Sequence, residues 1–144
     1  MPVITQSAKD TEVFAWELLT HASGIETWRR TLALVLWSWG ASDATVEVAR
    51  MGLSELMANV IRHVGDPRCR LSAVLDGGRV TVLLSDRSPR LPVVSQPDWD
   101  AESGRGLWML REMCRGFGCR PVADGKDVWF ELDLVAAGVE EVVL

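Results

Sequence analysis

The chain has 144 residues, 48% of them hydrophobic and 24% charged, with a formal net charge of −5. That length predicts one globular domain over residues 1–144, because a chain of about 150 residues hides roughly 70% of its unfolded surface while two typical domains need more. The composition excludes a disordered chain, and the longest apolar run, Leu32 to Trp37, is far below the roughly 20 residues that cross a bilayer.

The start, Met1 to Asp10, has no apolar signal core, so the expected location is the cytoplasm, with no membrane attachment. Cys69, Cys114 and Cys119 are odd in number and lack metal-finger spacing, and with only His21 and His63 beside them they read as reduced thiols. Charge is uneven: residues 1–60 carry −3, residues 61–120 carry +3 and residues 121–144 carry −5. The middle third is the natural home for an anion, and 13 of the 15 basic residues are Arg, which favours forked contacts to phosphate or carboxylate. On charge alone, a solvated surface with chance clustering is the preferred reading.

Thr11 to Leu19 is apolar and partly alternating, which predicts a strand. Ser23 and Glu26 have capping-box spacing, and Ile25, Trp28, Leu32, Val35, Leu36 and Trp39 recur at helical intervals, so a first helix ends before Gly40. Asp43 opens a second helix that runs to about Val64, stopped by Gly65, Asp66 and Pro67. Two alternating runs about Asp76, Gly77 and Gly78 predict a hairpin. The stretch from Asp86 to Gly106 has no period and holds Pro89, Pro92 and Pro97. A loop of roughly 20 residues is long for a compact domain and tends to be a lid or binding segment. A third helix starts near Gly104, and a final hairpin turns at Asp124 and Gly125. The order predicts an α/β (α+β) chain: a two-layer sandwich with a mixed, mostly antiparallel sheet and helices on one face.

On a wheel of the second helix, Ala49, Leu53, Leu56, Met57, Val60 and Val64 share the face that packs on the sheet. Glu55, Asn59 and Arg62 fall within an arc of about 60° on another face, with His63 at its edge. Gly52 lies one turn earlier and leaves space for something to approach. Taken alone, such a stripe is more often a solvated surface than a site. Asp86, at the end of a strand, can accept a hydrogen bond from an exocyclic amine, or simply start a turn before Ser and Pro. Glu102-Ser-Gly-Arg-Gly-Leu107 brings Gly104, Arg105 and Gly106 to a helix start, where backbone N–H groups can meet a phosphate, or where a flexible loop merely ends. The phosphate-loop and dinucleotide glycine signatures are absent.

In this order the elements resemble a known family. Glu55-Leu-Met-Ala-Asn59-Val-Ile-Arg-His63 resembles an N-box, Leu84-Ser-Asp86-Arg-Ser88-Pro89 a first glycine box in its Asp-Ser-Pro form, and Glu102-Ser-Gly-Arg-Gly-Leu107 a second. Gly125-Lys-Asp-Val-Trp-Phe130 matches the closing strand. Residues 11–134 are thus similar to the RsbW-like anti-sigma factor serine kinases of the Bergerat-fold (GHKL) ATPases.

The resemblance implies ATP and Mg²⁺ as cofactors. Asn59 would hold the metal and Glu55 would be the general base. Asp86 would take the adenine amine, while Arg62, His63, Ser88, Gly104, Arg105, Gly106 and Leu107 would complete the ATP site under a lid of about residues 87–103. The function implied is a protein-serine kinase that sequesters a sigma factor and phosphorylates a serine of an anti-anti-sigma (STAS) partner, as a homodimer joined through the first strand and helix. The alternative is a non-catalytic member acting by binding alone. Two departures favour it: Asp86-Arg-Ser-Pro-Arg90 lacks the usual glycines, and Asp127 stands where relatives carry Thr near the adenine. Direct nucleic-acid binding is not expected from a net negative chain without a helix-turn-helix pattern. Trp37, Trp39, Trp108 and Trp129 read as core or interface mass, and Trp99 in the lid as an apolar contact for a partner.

Overall fold

The computed structural model describes residues 3–7, 11–92 and 106–136. Strands β1 (Val3–Ser7), β2 (Thr11–Leu19), β3 (Arg68–Asp76), β4 (Arg79–Asp86), β5 (Gly116–Val122) and β6 (Gly125–Asp133) form one sheet in the order β1-β2-β3-β4-β6-β5. Every adjacent pair is antiparallel, so no parallel pairing appears among the described residues and the sheet is less mixed than the sequence suggested. Strand β1 carried no signal in its short, partly polar run.

Period-two alternation decides which face is covered. Leu71 and Ala73 of β3, Val80, Val82 and Leu84 of β4, and Val128, Phe130 and Leu132 of β6 all point the same way and are buried. Helices α1 (Ile25–Ser38) and α2 (Asp43–His63) cover that face, and α3 (Gly106–Met113) packs beside α2 with Leu110 buried. The helical period of α2 was legible: Ala49, Leu53, Leu56, Met57 and Val60 are all buried. Among the described residues no helix is long and apolar enough to cross a membrane.

The first helix start differs from expectation, while α2 begins at Asp43 as expected. The Ser23 and Glu26 capping box does not form, because the chain leaves β2 through a 3₁₀ turn (Ala22–Gly24) and Gly24 takes the cap position with no side-chain hydrogen bond. Glu26 instead reaches Arg29 at 3.2 Å and Arg50 of α2 at 3.4 Å. For α2 the cap is Ser42, whose Oγ accepts the Thr45 N–H at 3.3 Å. Thr45 Oγ1 donates onward to the Asp133 carbonyl at 2.8 Å and Ser42 N–H to Leu134 at 3.0 Å, so the start of α2 is tied to the end of β6.

Gly52 has a role other than the open approach expected of it. A Cβ there would stand 2.6 Å from the Phe130 ring and 2.9 Å from Leu110, so what approaches the helix is core. The tryptophans divide. Trp16 is buried against Phe14 and Trp28, and Trp39 donates to Glu12 at 2.6 Å. Trp37 is exposed, and Trp129 lies on the open sheet face under Arg120, 5.6 Å from its ring centre. Trp99 lies outside the described residues.

Candidate functional site

Residues four apart on a helix share a face, so α2 offers Glu55, Asn59 and His63 as a polar stripe beside its buried one. Asn59 and His63 line a cavity of about 190 Å³ with Ser88, Arg90 and Lys126. Arg62 is exposed and does not line it. Glu55 lies against Gly106, the first residue of α3, so closely that a Cβ on that glycine would overlap its carboxylate. The free N–H groups and positive dipole end of α3 begin there, a favourable place for an acid. Leu107 packs against the core. Gly104, Arg105 and most of the expected lid lie outside the described residues.

The sheet supplies the opposite wall. Asp86 follows Val80, Val82 and Leu84 in phase and is therefore buried at the end of β4. Its Oδ1 accepts the Ser88 N–H at 2.9 Å, a turn closed by the aspartate itself, which is the bland reading of an Asp before Ser and Pro. Its Oδ2 meets Lys126 Nζ at 2.8 Å, and both side chains are almost completely buried. A Cβ on Gly125 would run into the Asp86 carbonyl, so only glycine lets β6 begin this close to β4.

Lys126 and Arg90 are the residues that sequence reasoning missed. Lys126 had a readable signal: it is in phase with the inward Val128, Phe130 and Leu132. Asp127, expected near the adenine, is one residue off that phase and faces the open side, where it accepts from Ser85 Oγ at 2.6 Å and pairs with Arg120 at 3.3 Å. A shift of one position along a strand exchanges faces, so the residue confronting Asp86 is Lys126.

A larger open groove of about 450 Å³ lies at the sheet end around Glu17, Arg68, Cys69 and Arg70, with Asp86 also on its wall. Its size is no argument for chemistry. Arg68 is committed to Asp66 at 2.6 Å and Arg70 to Glu17 at 3.1 Å, and none of the α2 stripe lines it. Donation from Arg68 pulls the Asp66 carboxyl down to about 2, and burial, with the Asp86 charge second, pushes the Cys69 thiol up to about 12, leaving it inert.

The two ends of the cleft fit Mg²⁺-ATP unequally. At the end where the resemblance would place the phosphates, the Asn59 amide oxygen is a hard donor suited to Mg²⁺, a metal that keeps waters and substrate phosphates as its other ligands. It therefore needs no carboxylate cage, and among the described residues no cluster of three or more His, Cys, Asp or Glu stands ready for a metal. Arg90 and His63 add positive or donor groups on the same cavity. At the base end both oxygens of Asp86 are engaged, and the cavity is smaller than the roughly 300 Å³ at which ligand pockets usually begin.

The fold has a solved counterpart. The chain is similar to the crystal structure of the RsbU and RsbW domains of Rv1364c from Mycobacterium tuberculosis, with a TM-score of 0.65 and 19% identity. The match covers 84% of this chain and 31% of that one. A search of curated proteins gave no match. Residues 20–132, which hold the α2 stripe, Asp86 and the closing strand, match the family described as histidine kinase-like ATPase domain, and the chain belongs to that family.

Proposed function

We propose that this chain is an ATP-binding anti-sigma regulator that sequesters a sigma factor and phosphorylates a serine of a STAS-type anti-anti-sigma partner in the cytoplasm. The observation that supports it most is the convergence of three distant segments on one cleft: Asn59 and His63 from α2, Ser88 and Arg90 from the loop after β4, and Lys126 from β6. Bound ATP with Mg²⁺ would supply the transferable γ-phosphoryl group.

The chain's own residues then have separate tasks. Asn59 would hold the metal ion through its amide oxygen, and Arg90 would offset phosphate charge. Glu55 accepts the proton of the partner's serine hydroxyl as that oxygen bonds to phosphorus and ADP departs. Positioning and charge neutralisation carry most of such a transfer. Leu34 and Trp37, exposed on α1 at 60% and 48%, suit pairing of two copies through the α1 region.

Incubation with γ-labelled ATP and a STAS-domain protein tests the reading. Label should reach a serine of the partner, and Glu55→Ala should slow transfer by about 10²- to 10⁴-fold, the usual worth of a general base. Unimpaired transfer by that variant would remove Glu55 from its role. A stable complex with the partner and no transfer would instead establish the second reading, regulation by binding alone, which the engagement of Asp86 by Lys126 favours.

A further inference from the structure

A lysine in phase with a buried apolar row is uncommon, because an ammonium taken from water needs a partner there. Lys126 finds one by register. β4 and β6 pair Asp86 with Lys126 across the sheet, Nζ sits 2.8 Å from Oδ2, and Asp86 and Lys126 are 5% and 1% exposed. Nζ also reaches the Ser88 carbonyl at 3.4 Å, while Ser88 N–H takes the other oxygen of Asp86 at 2.9 Å. The carboxylate best placed to accept a nucleobase amine is thus satisfied from within the chain.

We propose that Lys126 is a specificity-determining residue that occupies the base subsite, so that this cleft grips a nucleotide by its magnesium-bound phosphates and gains almost nothing from the base. The proposal rests on the ATP-binding reading above. Three physical points carry it. An exocyclic amine is a neutral donor, so its hydrogen bond to the carboxylate lacks the charge–charge attraction that an ammonium adds. An ammonium displaced from Asp86 would keep only the Ser88 carbonyl at 3.4 Å, and a buried charge that loses its counter-charge costs more than the pair itself gains. Finally, the carboxylate has no free surface on which a base could add a third contact without moving Lys126. A shorter side chain at 126 would free one carboxylate oxygen and vacate the space of at most three methylenes and an ammonium.

The test compares Mg²⁺-ATP with Mg²⁺-tripolyphosphate, which has the charge but no base, by calorimetry on the whole chain. Wild type should bind the two within about threefold, and Lys126→Thr should prefer ATP by about tenfold or more. A wild type that prefers ATP by more than about tenfold, or a folded Lys126→Thr whose preference is unchanged, overturns the proposal. If neither protein binds either ligand, the ATP-binding reading falls and this proposal falls with it. Wild type binding both ligands alike overturns neither.

A second measurement needs no variant. An amine-directed acylating ester read by mass spectrometry, with the urea-denatured chain as the labelling control, should leave Lys126 of the native protein protected with and without saturating ATP. Labelling of Lys126 that rises on adding ATP would mean that the base displaces the ammonium, and would overturn the proposal.

Discussion

The two ends of the cleft are built on different logic. At the proposed phosphate end, Asn59 and His63 project from one face of α2 into a cavity, and Glu55 lies against the start of α3. Helical spacing sets these side chains side by side without obliging them to bond one another. At the proposed base end, Asp86 and Lys126 come from paired strands, and register presses each against the other with almost no exposed surface. A helix face leaves polar groups free for a ligand, whereas facing positions on two inward-directed strands compel them to satisfy each other.

The largest break in this contrast comes from removing one member of the buried pair. Asp86→Ala leaves Lys126 charged and unpaired, and should lower stability by about 3–5 kcal/mol in urea unfolding. Loss of less than about 1 kcal/mol would mean that the ammonium escapes to water and that the base end is not locked.

Next in size is Gly52→Ala, which probes the packing that sets α2 against α3 and so carries Glu55 to Gly106. Alanine gains about 1 kcal/mol of helix propensity. Overpacking against the fully buried Phe130 and Leu110 costs about 1–3 kcal/mol, so the net effect should be a loss of stability rather than the gain expected at an open position. A rise in the denaturation midpoint would show that the ring yields.

A pH dependence at the groove behind Asp86 stands apart, because it shows only in alkali. Cys69 has its thiol raised from 9.0 to about 12 by burial, so as pH climbs above 9 the unfolded chain releases this proton before the folded one does. Stability should therefore fall between pH 9 and about 12, and Cys69→Ala should flatten that part of the profile. An unchanged slope would assign the dependence to other groups. Native Cys69 should also resist alkylation until the protein is denatured.

What could be read beforehand follows the range of the forces involved. The buried and polar faces of α2, the two hairpins and the inward rows of the strands are local periodicities, and they were legible. The capping box at Ser23 failed because a 3₁₀ turn and the cross-helix cation Arg50 reassign Ser23 and Glu26, which is tertiary information. Gly52 looked like an opening because its neighbour Phe130 is distant in sequence. The pairing of Asp86 with Lys126 needed strand order and register, although phase with Val128 already told Lys126 from Asp127.

The central claim is that the amide of Asn59 holds a magnesium-bound phosphate group in the cleft. Calorimetric titration of ATP with and without Mg²⁺ into wild type and Asn59→Ala tests it most directly. The account predicts Mg²⁺-dependent binding by wild type and a loss of at least about tenfold in the variant, with an unfolding midpoint close to wild type because Asn59 is only half-buried. Equal binding by the two proteins, or binding by wild type that ignores Mg²⁺, would contradict it.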